Sequence, residues 1–471
     1  MEKTITQKGK KQSFASTRNA CKLCAPLGAI LVFRGIEGCV PMIHGSQGCA
    51  TYIRRYMISH YKEPLDIASS NFSEETTIYG GNRNFNEGIA NIRKQYNPAV
   101  IGIASTCLAE TIGEDVPQLI AEYKDLHINE PDLPKFVFAS TPSYCGSHMD
   151  GFFETVASTI RTFAKPADKK GTHINIFSGF ISPADLRMLK DFFSCWGIDT
   201  VLFPDFSDTM DNPFWKDYHL IPEGGTPMKD IIRTGSAKGS IELGVVLNKA
   251  ALNGRVAKNK KIVTAGEWLE TSYNIPNKQI YMPIGIDATD VFVKELEEKT
   301  GKKIPEKLKL QRGRLIDSYI DCHKYISGKR VMVYGEEDLV IGLVSFFHEI
   351  GIKPVIVASG GESSVMTEEI KKILSDQEEK PIILEGSDFE SMHEYAKILK
   401  PDIVVGHSKG YYIARELNIP IVRVGFPVHD RSNGPRIKHL LYEGTQELFD
   451  RIVNALLEYK QDHSPVGYKY M

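Results

Sequence analysis

Short runs of apolar, often β-branched residues alternate along almost the whole chain with longer, charged, amphipathic stretches, the pattern of strands in parallel sheets joined by crossover helices. Strands are predicted at Val100–Ala104, Lys135–Ala139, Ile174–Phe177, Arg330–Tyr334, Pro354–Val357 and Asp402–Val405, each followed by a turn and a helical period. The expected class is α/β, with three doubly wound αβα (Rossmann-like) domains built on mainly parallel sheets. Two polar breaks set the expected divisions. Pro166–Gly171 separates a helical stretch from a strand and ends a first domain at residues 1–170. Tyr325–Lys329, after a long helix from about Leu308, separates a second domain at 171–325 from a third at 326–471, whose strands are expected near 331, 354, 382, 402 and 421. The recurrence is architectural, with no short-period sequence repeat.

Length supports this division, because 471 residues exceed what one hydrophobic core holds. With 42% hydrophobic and 25% charged residues the composition is that of a folded globular protein. A formal net charge of -2 gives no global positive field, so no nucleic-acid partner is expected, and the run Lys8, Lys10 and Lys11 reads as a solvated tail. No apolar stretch of membrane-spanning length occurs and no leader-type segment precedes residue 25, so the expected location is the cytoplasm, without a membrane. In that compartment the eight cysteines do not form a disulfide framework. Cys21, Cys24, Cys39, Cys49 and Cys107 crowd the first quarter, which points to metal or cluster binding there.

Three segments carry the candidate chemistry: Cys24–Ala29, His44–Cys49 and Ser105–Glu110. Soft thiolates suit iron–sulfur clusters, and a cluster lying against backbone needs neighbours such as Gly28 and Gly48 that permit close approach. The wide spacing of Cys24, Cys49 and Cys107 differs from compact zinc or ferredoxin arrangements and implies ligands from separate loops. Cys107, just past the strand at Val100–Ala104, falls at a carboxyl edge, where open α/β sheets hold their ligands. Read alone, the three thiols leave two possibilities open, one shared metal site or buried unreactive cysteines.

Cys24–Ala29, His44–Cys49, Lys62–Pro64, Gly80-Gly81, Thr106–Glu110 with Ile112–Asp115, and Thr141–Tyr144 with Gly146–His148 resemble, in order, the successive signatures of β-type subunits of the nitrogenase component 1 family. The likeness continues through Gly406–Gly410 and Arg423–Pro427, so it spans the chain. The resemblance implies that Cys24, Cys49 and Cys107 ligate an interfacial iron–sulfur cluster, either an eight-iron, P-cluster-like (8Fe-7S) group or a four-iron (4Fe-4S) one. It implies an α-type partner (NifD- or NifE-like) in an α2β2 heterotetramer, a molybdenum- or iron-containing cofactor held mainly by that partner, and an iron protein as transient electron donor. Ser143 matches a serine that can ligate an oxidised P-cluster; its plain reading is a turn residue bonding local backbone.

Several neighbours have two readings. His44 either tunes the cluster from outside its ligand set or is a satisfied core histidine. Arg54 and Arg55 either face an acidic electron-donating partner or are ordinary surface charges. Cys21 is a neighbouring thiol or an alternative ligand, while Cys39, Cys145, Cys195 and Cys322 are assigned to packing. Gly406–Gly410, with His407 and Lys409, is a candidate anion site at a sheet edge, whereas His429–Arg431 is assigned to the chain's return or to a subunit contact. No Walker signature is present, so ATP hydrolysis is not expected of this chain.

Within the family two roles compete. The three cysteines with Ser143 suit a catalytic β subunit of a nitrogenase or a related reductase. The short opening, the Cys21–Cys24 pair and Thr51–Arg55 resemble NifN-type scaffold chains for iron–molybdenum cofactor biosynthesis, and tip the expectation narrowly to the scaffold. A cluster-free α/β metal or ligand binder is the alternative from a different class.

Overall fold

The computed structural model describes residues 20–246 and 263–467. Lys8, Lys10 and Lys11 lie outside them. Three parallel sheets form the framework. The first comprises Cys39–His44 (β1), Ala68–Ser69 (β2), Val100–Ser105 (β3) and Lys135–Ala139 (β4), in the order β2-β1-β3-β4. The second comprises Ile174–Phe177 (β5), Thr200–Phe203 (β6), Gly239–Leu243 (β7) and Asn277–Ile280 (β8), ordered β6-β5-β7-β8. The third comprises Arg330–Gly335 (β9), Lys353–Ser359 (β10), Ile382–Leu384 (β11), Ile403–Gly406 (β12) and Ile421–Arg423 (β13), ordered β11-β10-β9-β12-β13.

The predicted strands all form, with ends moved by a residue or two. Among the strands that the apolar pattern did not single out, β7 and β1 carry buried polar residues. β7 hides Glu242 by giving its carboxylate four donors: Thr264 Oγ1 (2.8 Å), the Gly266 N–H (2.8 Å), Asn277 Nδ2 (2.9 Å) and Gln279 Nε2 (3.0 Å). β1 is buried at every position despite Pro41 and His44. The helix predicted from about Leu308 spans Glu306–Ile326, and it packs on the final helix, Leu441–Asp462.

In each sheet the chain reverses its direction of winding once, and the crevice at such a reversal is where α/β sheets bind ligands. The reversals fall between β1 and β3, between β5 and β7, and between β9 and β12. Residues following these strands meet at one junction. The helix Glu337–Glu349, which follows β9, begins with three acids that reach three different units. Glu336, its N-cap, faces His148 Nε2 of the first (3.4 Å), and Asp338 accepts the Val245 and Val246 N–H groups just past β7 (2.7 and 3.1 Å). Glu337 stays within the third, on the Ser363 hydroxyl (2.6 Å). Phe426, just after β13, completes the junction with its ring against His60, Tyr61, His148 and Phe180.

The helix Ala25–Arg34 is buried at all its residues. It is apolar around its circumference, as a core helix must be, and it crosses the helix His148–Phe163 at backbone contact. A Cβ on Gly28 would collide with the His148 carbonyl oxygen, and one on Gly151 with that of Ala25. Gly28 therefore serves helix packing, not close approach to a metal group: its vacant side is already filled by the neighbouring helix. Gly28→Ala should destabilise the protein by about 3 kcal/mol, measured as a lower urea midpoint.

Burial pushes the Asp338 carboxyl up to about 6 and Glu337 up to about 7, from ordinary values of 3.8 and 4.5. The folded state thus binds these protons more tightly than the unfolded chain. Their contribution to stability is full at acid pH and is lost as pH rises through about 6 and about 7. Asp338→Asn, which can keep the bonds to Val245 and Val246, should gain on the wild type by on the order of 3 kcal/mol as pH rises from about 4 to 7. Thermal midpoints of the two proteins across that range check this.

Candidate functional site

Cys24, Cys49 and Cys107 come together from three loops, each at the start of a helix. Cys24 is the N-cap of Ala25–Arg34, Cys49 lies in the first turn of Gln47–Tyr61, and Cys107 opens Cys107–Ile112. Cys49 and Cys107 follow the adjacent strands β1 and β3, whose ends pair His44 with Ser105, so both stand in the first sheet's reversal crevice. Helix N-termini present unpaired N–H groups and a positive dipole end, which favour thiolates and an anionic group bound to them. Burial, followed by the Cys24 and Cys107 thiols, pushes the Cys49 thiol above its ordinary value, so both other sulfurs are near enough to act on it. All three are partly exposed.

The loops are fixed by local capping. Ser46 accepts the Gly48 N–H (3.2 Å) and Thr106 accepts the Ala109 N–H (3.4 Å). The Thr106 N–H and hydroxyl both donate to the His44 carbonyl, each at 3.2 Å, joining the Cys49 loop to the Cys107 loop. Gly45 is needed here because a side chain on it would strike Thr106.

Ser143 joins the remaining pair. Its N–H donates to Cys107 Sγ and its Oγ accepts the Ala25 N–H, both at 3.1 Å. The turn reading of Ser143 is thus too local, since the bonds span two cysteine loops. The hydroxyl keeps a second lone pair and its proton.

His44 is a core histidine. Its Nε2 lies 3.1 Å from Glu114, its ring packs edge-on to Phe72 and Phe85, and burial lowers its pKa against the pull of Glu114. Its carbonyl, not its imidazole, supports the site. Gly48 is exposed and its Cα side meets only Ser46 Oγ, leaving space outside this chain. Arg54 and Arg55 are exposed on the same helix, with Arg54 3.7 Å from Asp66. Tyr52, one turn beyond Cys49, is close enough to Cys24 for that thiol to raise its phenol's pKa, after burial and Tyr56. Tyr144 stands exposed beside Cys107.

Cys21 is not with the three. It is buried in the third unit's core, its Sγ 3.6 Å from His407 Nε2, and burial pushes its thiol up to about 12. The anion reading of Gly406–Gly410 is also overturned, because Lys409 Nζ donates to the Ala20 carbonyl (3.0 Å) and His407 is buried against Cys21 and Tyr334. The loop is filled by the chain's own Ala20–Cys21. Asp430 ties Ser408 to Arg423, fixing the chain's return. Cys39 is buried, whereas Cys195, assigned to packing, is exposed.

Among the described residues no three His, Cys, Asp or Glu side chains could chelate a single ion. A group of several irons, with its remaining ligands supplied from outside, fits partly exposed sulfurs better than a mononuclear site does. Contacts such as those of Ser143, Thr106 and the glycine pair 28/151 could be sought in sequence only as motif neighbours, since they bridge residues far apart in the chain.

The family model for nitrogenase component 1 type oxidoreductases matches residues 24–457. The chain is 35% identical over 442 residues to the nitrogenase molybdenum-iron protein beta chain of Clostridium pasteurianum, covering 93% of each. It is 31% identical over 450 residues to the beta chain of the same description from Methanococcus maripaludis, covering 93% of this chain and 94% of that one. Among solved structures it superposes with a TM-score of 0.91 on a chain described as nitrogenase Cp1 at pH 6.5, with 33% identity and 99% of both chains covered. A chain described as nitrogenase Cp1 at pH 5, at 15% identity and a TM-score of 0.69, shares the fold.

Ser143→Ala removes the acceptor of the Ala25 N–H while leaving the backbone donor to Cys107. The metal-free protein should lose about 1 kcal/mol, read as a lower urea midpoint at unchanged slope.

Proposed function

The chain belongs to the nitrogenase component 1 type oxidoreductases as a β-type subunit, and we propose that its Cys24, Cys49 and Cys107 hold one half of an interfacial iron–sulfur cluster completed by an α-type partner. Family membership implies such clusters, a metallocofactor in the assembly and an α-type subunit in a heterotetramer. The observation that carries the assignment is the convergence of three cysteine-bearing helix N-termini on one open face. When bound, the cluster supplies one-electron storage and transfer between a docked, ATP-driven iron protein and the metallocofactor held mainly by the partner.

This chain's residues provide the setting. Three thiolates bind iron from separate loops, and the helix N-terminal amides lower the cost of the negative charge. The Ser143 N–H draws charge from the Cys107 sulfur, as hydrogen bonds to cluster sulfur do when they set a potential. Ser143 Oγ stands between the Cys24 and Cys107 loops with a lone pair to spare, placed to become a fourth ligand. Arg54 and Arg55 offer exposed positive charge beside the site to an acidic electron donor. Among the described residues no helix is long and apolar enough to cross a membrane, and we place the assembly in the cytoplasm.

Of the two roles, we favour the catalytic β subunit. The full cysteine set with Ser143 among it matches what a redox-active eight-iron cluster uses, and Cys21, half of the pair that resembled scaffold chains, sits apart from the site. The NifN-type scaffold, narrowly preferred from sequence, remains the second reading on the resemblance of Thr51–Arg55.

Anaerobic co-purification with the α-type partner, iron counting and EPR before and after dye oxidation test the proposal. Cys24→Ala and Cys107→Ala should each lower iron content and weaken partner association. Unchanged iron in both variants overturns the ligand assignment. Acetylene reduction on adding the iron protein and ATP supports the catalytic role. A four-iron signal with transfer of activity to a cofactor-free nitrogenase supports the scaffold.

A further inference from the structure

The reversal crevice of the third sheet holds the chain's own amino-terminal segment. Ala20 forms an antiparallel bridge with Asp388, and the Cys21 N–H donates to the Ser387 carbonyl (3.2 Å). Cys21 lies so close to Gly360 that a Cβ there would overlap its backbone. The segment then leaves the third unit and delivers Cys24 to the first. Between these anchors, Leu23 is bracketed by one residue: the His148 N–H donates to the Leu23 carbonyl (2.9 Å), and the Leu23 N–H donates to His148 Nδ1 (3.3 Å).

That second bond fixes a tautomer. Because Nδ1 accepts, the ring proton of a neutral imidazole resides on Nε2, which faces Glu336 Oε1 at 3.4 Å. His148 and Glu336 are both buried. Glu336 occupies the N-cap position of Glu337–Glu349 yet makes no capping bond with its side chain. Its carboxylate is turned across the junction toward His148, away from the helix end that would ordinarily use it. The ring is held edge-on to Phe180 and tilted on Phe426, so it has little freedom to satisfy Leu23 in another pose.

We infer that Glu336, in the third unit, is a positioning residue for Cys24 acting through His148, so that the seating of the third unit on the first sets the orientation of one cluster thiolate. The inference rests on the reading of Cys24 as a ligand. Glu336 holds the Nε2–H tautomer, the Nδ1 lone pair then holds the Leu23 N–H, and Leu23 holds the Cys24 sulfur at its helix N-terminus. Groups that orient a ligand in this way tune the electronic structure of a metal centre without touching it.

The test uses the full complex with its α-type partner, comparing wild type, Glu336→Gln and His148→Asn by iron content, dye-mediated midpoint potential and EPR line shape. His148→Asn keeps the Glu336 carboxylate but removes the imidazole that links it to the Leu23 N–H. Both variants should keep wild-type iron content and shift the midpoint and line shape in the same direction, and the double variant should shift them no further than either alone. A shift in Glu336→Gln with none in His148→Asn would mean that the buried charge acts at a distance, and would overturn the positioning role. Unchanged spectra and potential in both variants would overturn it equally. If Glu336→Gln fails to assemble, Glu336→Asp, with a shorter reach and the same charge, takes its place under the same criteria. Absence of iron from the wild-type complex would instead sink the cluster assignment beneath the inference.

Discussion

The structure depends on the meeting of three parallel sheets at their carboxyl edges. Each sheet alone opens a crevice at its winding reversal, and here the crevices face a common junction instead of separate ligands. Two are closed from within. The third is filled by Ala20–Cys21 and backed by His407 and Lys409, and the second is capped by Asp338 on the Val245 and Val246 amides. The first alone remains open among the three, and it carries Cys49 and Cys107. The strap that plugs the third crevice then brings Cys24 to the first. Closing one site is how another is completed.

This accounts for what could and could not be read from sequence. Strands buried on both faces announce themselves as apolar runs, so Val100–Ala104 or Arg330–Tyr334 are plain, while β7, with Glu242 sunk among four donors, is not. The three cysteines stood out because they lie among the five that crowd the first quarter, with Gly28 and Gly48 close to two of them, and the structure brings their three loops together. Gly28 and His407 were read by the same local logic and play other parts, because what fills the space beside them comes from residues 148 and 20–21. A motif shows that a glycine or histidine is constrained; it does not show by what.

The charges at the junction have a related logic. Glu336, Glu337 and Asp338 are consecutive, yet each is spent on a different unit, which one helix N-terminus at the point of convergence makes possible. Burying carboxylates is costly unless donors meet them. Asp338 has two backbone amides and Glu337 has Ser363, so these two act chiefly as struts. Glu336 differs, since its partner is an imidazole whose other nitrogen holds the backbone of the cysteine strap. Identical chemistry at adjacent positions thus separates into support for the fold and alignment of the site.

The open crevice is the remaining consequence. The three thiols at helix N-termini are all partly exposed, and Gly48 leaves the outer side bare. On the proposed assignment a site of this kind is incomplete in a single chain: partly exposed thiols are open to oxidation, and among the described residues no three His, Cys, Asp or Glu side chains could hold a single ion. The arrangement gains stability only when an opposing surface brings further ligands and excludes water. On the proposed assignment, cluster binding and subunit association are linked in free energy: each removes from the other the cost of leaving this crevice half built.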